Sequence, residues 1–180
     1  GLKTLLLEKH NIPGGCATSF RRGRFEFEPS LHELCSVGTA DRPDVVYKVF
    51  DDLGAKPNWA YETGHLFRAI VKGEDGYDVH LDAGIEGFCD SVEAAVPGCR
   101  ENVKAFVMLK QKIDAAIAYI YEMKGKPKGL TMLTKHTDFM RVAGHSVEQV
   151  MTAMGIPKKA QNIINTYWGY LGVPTDELNC

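Results

Sequence analysis

The sequence is short of several things that would have settled its class at once. No two of its five cysteines stand at C-x-x-C spacing, and their number is odd. That excludes a disulfide framework and a cysteine zinc site as the organising principle. The thiols read as reduced, as in a cytoplasmic protein. The six histidines are scattered, with no H-x-x-H or H-E-x-x-H pattern, so no metal ligands are expected. No apolar run approaches the ~20 residues that span a bilayer. A signal peptide is not read either, because Lys3 and Thr4 lead straight into a short run ending in an acid. The chain also has almost no charge imbalance: its net charge is −2. The whole-chain field therefore gives no reason to expect nucleic acid or an anionic membrane as a partner. Local basic clusters at Arg21, Arg22 and Arg24 and at Lys124, Lys126 and Lys128 read most simply as a solvated loop and a helix end.

What is present is enough apolar sequence for a core, spread over 180 residues. Leu5-Leu6-Leu7 is short, continuously apolar and ends at Glu8, which is how a parallel strand covered on both faces reads. Such a strand needs neighbours and a crossover from an earlier strand. Gly1 suits a position just past a helix C-terminus, so a strand and helix are expected to precede it. Pro13, Gly14 and Gly15 break the chain into a loop. Phe25 and Phe27 alternate around Glu26 as in a short strand. Asp41, Pro43 and Asp44 announce a helix carrying Val46, Val49, Phe50 and Leu53 and closed by Gly54.

The spacing then predicts a hairpin. Leu66 to Val71 is one strand, Gly73-Glu74-Asp75-Gly76 the turn. Tyr77, Val79 and Leu81 alternate with Asp78, His80 and Asp82 in the other. About four helices follow. One carries Ile85, Phe88, Cys89 and Val92. A long one from about Glu101 to Lys124 carries Val103, Phe106, Val107, Ile113, Ile117, Ile120 and Tyr121. A third begins with a capping box at Ser146 and Gln149, and a last one starts near Pro157 and is stopped by Gly172 and Pro174. Met123, Met132, Met140, Met151 and Met154 are adaptable side chains that could line an apolar groove, although ordinary core packing is the simpler account of each.

The chemistry-bearing segment is Leu5 to Val37. A carboxylate at the tip of a parallel strand can accept hydrogen bonds from a ribose, and adjacent glycines let the backbone approach a phosphate closely. Taken singly, Glu8 is a solvated acid after a strand and Gly14-Gly15 a plain turn. The combination is more specific. Leu5 through Phe20, then Gly23-Arg24-Phe25-Glu26-Phe27-Glu28, then Leu31-His32, resembles the FAD-binding segment of the phytoene desaturase, carotenoid isomerase and retinol saturase family. The likeness is strong over about the first 38 residues and weaker but consistent beyond them.

The resemblance implies an α/β fold: a partial Rossmann-type FAD domain over 1–40 and a substrate-side domain of hairpin and helices over 41–180, α+β taken as a whole. It implies FAD as cofactor and Glu8, Lys9, Gly14, Gly15 and His32 as cofactor-binding residues. Glu8 would meet the adenosine ribose, the glycines the phosphates, and Ser30, Leu31 and His32 the isoalloxazine or substrate. It identifies no catalytic residue. Three positions depart from related amine oxidases or family members: Cys16 and His10 stand where arginine is common, and Ser30 where glycine is. No G-x-G-x-x-G occurs in the chain. As an internal fragment of a flavin-dependent oxidoreductase it is expected to bind FAD weakly by itself and to be inactive alone. The expected substrate is small and apolar, with peripheral membrane contact and self-association through the N-terminal strand kept open. An amine-oxidase-like enzyme and a non-catalytic substrate-side domain are the rival readings.

Overall fold

The computed structural model describes residues 2–29, 34–61 and 64–180, with only the backbone at 169–171. The chain divides into two compact units, Gly1–Ala60 and Tyr61–Cys180.

The first unit has little interior. Strands β1 (Phe20–Arg22) and β2 (Phe25–Phe27) form an antiparallel hairpin, Phe20 facing Phe27 and Arg22 facing Phe25. Gly23 supplies the positive φ its tight turn needs. The cross-strand rings of Phe20 and Phe27 stack 5.0 Å apart, and Arg21 pairs with Glu26 at 2.9 Å. Helix α1 (Val45–Asp52) starts where the sequence predicts, because the Asp44 carboxylate accepts from the Val45 amide. Its stripe is only half covered: Val46 and Phe50 are partly buried, while Val49 and Leu53 are exposed. Phe50 meets Trp59 edge-on at 5.4 Å.

Leu5 to Leu7 do not form a strand. Their side chains are 82–86% exposed, which corrects the expectation of a buried parallel strand. The physical reason is that a strand exists only through its neighbour's hydrogen bonds, and no strand pairs with this segment among the described residues. The described strands make two antiparallel hairpins and no parallel pairing. The architecture is α+β.

The second unit carries the core. Strands β3 (His65–Val71) and β4 (Tyr77–Asp82) pair antiparallel, with an irregularity between His65 and Phe67. Alternation places Ala69 and Leu81 fully inside, and leaves Arg68, Asp78 and His80 exposed, where Arg68 and Asp78 form an ion pair. Helix α2 (Ile85–Ala95) buries Cys89 and Val92 against this face. The long α3 (Arg100–Glu122) follows after a sharp turn. The Glu93 carboxylate closes that turn by accepting from the amides of Gly98, Cys99 and Arg100. The Gly98 and Arg100 bonds above all hold its carboxyl below the usual range. Arg100 then ties α2 to α3 through Asp90 and Glu86, and also pairs with its neighbour Glu101.

The sequence pattern missed two short helices, α4 (Gly129–Lys135) and α5 (Thr137–Val142). Each is under two turns and buries a single large apolar residue, Met132 and Val142 respectively, so neither shows a 3.6-residue period to read. The stripe of α3 is also narrower than its spelling. Val103 and Ala116 are buried, but Ile117 and Tyr121 face water.

Helix α6 (Val147–Ala153) begins with the predicted capping box. Ser146 Oγ accepts from the Gln149 amide at 3.2 Å, and the Gln149 side chain accepts from the Ser146 amide at 3.0 Å. Helix α7 (Lys158–Asn165) follows Pro157 and runs into a 3₁₀ turn, Thr166–Leu171. Met151, Ile163, Ala160 and Ile156 join Leu81, Val92 and Val103 in one cluster. Ser146 is buried, so Ser146→Ala orphans the Gln149 amide. We expect a loss of about 1 kcal/mol in unfolding free energy, read from the midpoint of a urea titration at unchanged slope.

Candidate functional site

The first place with site-like geometry is the turn that follows Glu8. The His10 amide donates to Glu8 Oε1 at 2.8 Å, and the Ile12 amide approaches His10 Nδ1 at 3.4 Å. These two-residue closures curl the chain so that the Glu8 head lies over the Pro13-Gly14-Gly15 turn. Gly14 has φ +97° and Gly15 φ +55°. The amides of Ala17 and Thr18 bond back to the Gly14 and Gly15 carbonyls at 2.9 and 3.2 Å, giving one 3₁₀ turn, Gly15–Ala17. Thr18 Oγ1 donates to the Pro13 carbonyl at 2.7 Å and locks the loop.

Both glycines are required by what surrounds them. A Cβ on Gly14 would sit 2.6 Å from Thr18 Oγ1, and one on Gly15 would sit 3.3 and 3.4 Å from the two Glu8 carboxylate oxygens. Gly14→Ala is thus expected to disturb the turn more than Gly15→Ala. It meets both a backbone penalty at positive φ, roughly 1–3 kcal/mol, and the hydroxyl that locks the loop. Faster proteolysis at 10–20 in the Gly14 variant than in the Gly15 variant is the outcome to look for.

Of the sequence-predicted residues, the structure therefore brings Glu8, Gly14 and Gly15 together. Lys9 is exposed beside them, with no ion-pair partner among the described residues. His32, with Ser30 and Leu31, lies outside the described residues, as does Gly1. Cys16 is an exposed free thiol in the turn.

The arrangement is one that an adenosine diphosphate end could use. One carboxylate oxygen already has its amide partner, and the other has none among the described residues. The Cβ-less turn beside it leaves room for a ribose or phosphate oxygen. Glu8, Gly14 and Gly15 are compatible with the adenosine diphosphate end of FAD.

The second place is in the other unit. An apolar groove of about 400 Å³ runs between α2, α3, α6 and α7. Phe88, Phe106, Ile113, Val147, Ile164 and Trp168 form its walls. The C-terminal segment closes one edge: the Val147 amide donates to the Leu178 carbonyl at 2.9 Å, and the Cys180 amide to the His145 carbonyl at 3.0 Å. Lys110, Asn179 and Cys180 are its polar or ionisable lining residues. Burial pushes the Cys180 thiol up. The groove can hold an apolar molecule but brings no acid–base pair to it.

The methionines do not line this groove, contrary to the sequence-based suggestion. Met132 and Met151 are core residues, Met140 is exposed, and Met154 lines a different depression with Met108 and Val150. Trp168 is the candidate that does reach it. The lining was illegible because it joins one side of α3 to single residues of α2, α6, α7 and the 3₁₀ turn and to the C-terminal segment, and no sequence period connects them.

The chain is similar to all-trans-retinol 13,14-reductase. The human protein is 18% identical over 182 residues, covering 96% of this chain and 29% of that protein. The Danio rerio protein is 19% identical over 181 residues, 96% and 29%, and the Rattus norvegicus protein 20% over 174 residues, 92% and 28%. The chain spans less than a third of the length of these reductases. No family model matches it, and no solved structure does. The likeness to the reductases covers the diglycine turn, the hairpin and the helices alike, since it extends over nearly the whole chain. No helix among the described residues is long and apolar enough to cross a membrane.

Proposed function

We propose that this chain forms part of a flavin-dependent oxidoreductase of saturase type, which acts on a carbon–carbon double bond of an apolar polyene. The observation that carries the reading is the Glu8 carboxylate folded against Gly15 over a positive-φ diglycine turn. Glu8 would accept from a ribose hydroxyl of FAD, Gly14 and Gly15 would admit its diphosphate, and Lys9 would offset phosphate charge. His32 would serve at the flavin or substrate side, as the family resemblance implies. When bound, the flavin supplies two-electron exchange with the double bond. This chain's own residues bind and orient: the turn grips the nucleotide end, and the apolar groove walled by Phe106, Ile164 and Trp168 shields a polyene from water. The similarity to all-trans-retinol 13,14-reductases supports a polyene substrate.

The test is to express the complete gene and record the visible spectrum of the purified protein. A flavin spectrum, bleached by reductant and restored on adding a polyene such as all-trans-retinol, is the expected result. A colourless protein that takes up no FAD would refute the reading. Bleaching of the oxidised flavin by amines, with no response to polyenes, would move the chemistry to an amine oxidase.

A further inference from the structure

A second side of α3 faces a depression that the flavin reading does not use. Ala105, Met108 and Lys112 follow one another at helical spacing, so α3 presents them on one stripe. Helices α5 and α6 complete the walls. The space between the three helices is about 550 Å³, within the roughly 300–1,000 Å³ of small-molecule sites. Its floor is apolar: Val142 and Val150 are buried, Leu109 and Met154 half-buried, and Met108 is 39% exposed.

The rim is charged, and its charges do not cancel. Lys112 Nζ on α3 pairs with Asp138 Oδ2 on α5 at 2.6 Å. Arg141, three residues further along α5, holds Nη1 3.8 Å from the other oxygen of the same carboxylate, beyond hydrogen-bond distance. Its donors are therefore not spent there. Asp138 is the only acid lining the depression among the described residues, and Lys112 above all keeps its carboxyl below the usual range. Two cations thus share one anion, and one positive charge is left over. Gln149 adds a neutral donor. Its side-chain oxygen accepts from the Ser146 amide at 3.0 Å, which leaves its NH2 for a ligand. Acids close by in sequence are engaged elsewhere, Asp114 with Lys110 and Glu148 with Lys158.

An apolar floor by itself names no ligand, and surface ions by themselves are ordinary solvated groups. Together they match a molecule with an apolar chain and a single negative charge at one end. The planar fork of Arg141 suits the two oxygens of a carboxylate, and one surplus charge suits a monoanion. A cationic amphiphile would meet that surplus with like sign. We propose that the depression between α3, α5 and α6 binds a free single-chain carboxylate, with its head at Arg141 and Lys112 and its chain along Val142, Val150 and Met154.

The proposal stands apart from the flavin reading, since no residue of the diglycine turn takes part. Its test is calorimetric titration of the full 180-residue chain with dodecanoate, below the micelle concentration. One saturable site is expected, with decanoate about tenfold weaker because two fewer methylenes are buried. Dodecanol and dodecyltrimethylammonium are expected to bind at least about tenfold more weakly than dodecanoate. Arg141→Gln, at a side chain 75% exposed, is expected to weaken dodecanoate about tenfold and leave dodecanol unchanged. Asp138→Asn is expected to tighten dodecanoate, because it removes the anion that competes for the same cations. If these two residues merely held the helices together, both variants would lose affinity. No binding, equal binding of dodecanol, or parent-like binding by Arg141→Gln would overturn the proposal. So would weaker binding in Asp138→Asn, or loss of binding in Lys110→Ala, which lines the other groove. Self-association that Arg141→Gln abolishes and dodecanoate does not affect would point to a second copy as occupant and overturn it too. If Asp138→Asn fails to fold, Lys112→Gln is measured instead. Weakened dodecanoate binding is then expected, and parent-like binding would overturn the proposal.

Discussion

Exchange of Glu8 for alanine in the complete protein is expected to weaken FAD binding by about tenfold to a hundredfold, which corresponds to the loss of one charge-assisted hydrogen bond. Equilibrium titration of the apoprotein, followed by flavin fluorescence, gives the number. The reasoning has two parts. The carboxylate has one oxygen committed to the His10 amide at 2.8 Å, so its orientation is set before any ligand arrives. Its second oxygen, with no partner among the described residues, sits 3.3 Å from where a Gly15 Cβ would be, so it lies against the space the glycine leaves. Glu8→Gln can keep the His10 contact through its one carbonyl oxygen but puts an NH2 donor where the second carboxylate oxygen stood, and is expected to fall between parent and Glu8→Ala. Equal affinity for all three forms would mean that Glu8 is a solvated acid, as it reads when taken alone, and the nucleotide site would have to be sought elsewhere.

The largest expected effect on stability is at Ile163. It is fully buried in α7 and packs in the same cluster as Leu81, Val92 and Met151. Ile163→Ala removes three carbons from a fully buried site in the cluster that β4, α2 and α6 share, where β4 is held by its ladder with β3 and α6 by its capping box. The expected cost is about 2–5 kcal/mol. For a chain of this size that lowers the melting temperature by on the order of 10 °C. Leu130→Ala is the control. Its side chain is mostly in water, so its effect is expected within about 0.5 kcal/mol. A scanning calorimetry trace of the two variants checks both statements. A small shift at Ile163 would mean that the cluster is loosely packed, and that the groove beside it, which shares Ile164 and Val147, is not a fixed cavity.

The two effects lie in different compact units, Glu8 in Gly1–Ala60 and Ile163 in Tyr61–Cys180. The distinction separates failures. A chain that melts normally but does not bind the cofactor points to the turn, and one that melts early points to the helical core.

Much of the second unit was legible from residue order. The hairpin of β3 and β4 could be read because Tyr77, Val79 and Leu81 alternate with polar residues and a Gly-Glu-Asp-Gly turn precedes them. The α6 start could be read because a capping box needs only Ser146 and Gln149 three apart. These are local rules, satisfied by neighbours in sequence. The Leu5–Leu7 strand was misread for the complementary reason. Three consecutive leucines state a wish to be buried, but a strand is made by a partner's amides and carbonyls, and no partner is present among the described residues.

The sequence by itself determined the elements whose signals are local: caps, turns, the alternating hairpin, the long α3, and the Gly-Gly pair that a close approach to Glu8 demands. Tertiary structure alone decided which apolar residues became core and which became surface. It buried Met132 while turning Leu130 and Leu133 outward, drew Phe88, Phe106, Ile164 and Trp168 from separate helices into one groove, and left the N-terminal leucines in water. The reason is that hydrophobicity is non-directional and says only that a side chain gains by leaving water. Where it goes depends on which other surfaces the folded chain brings within reach.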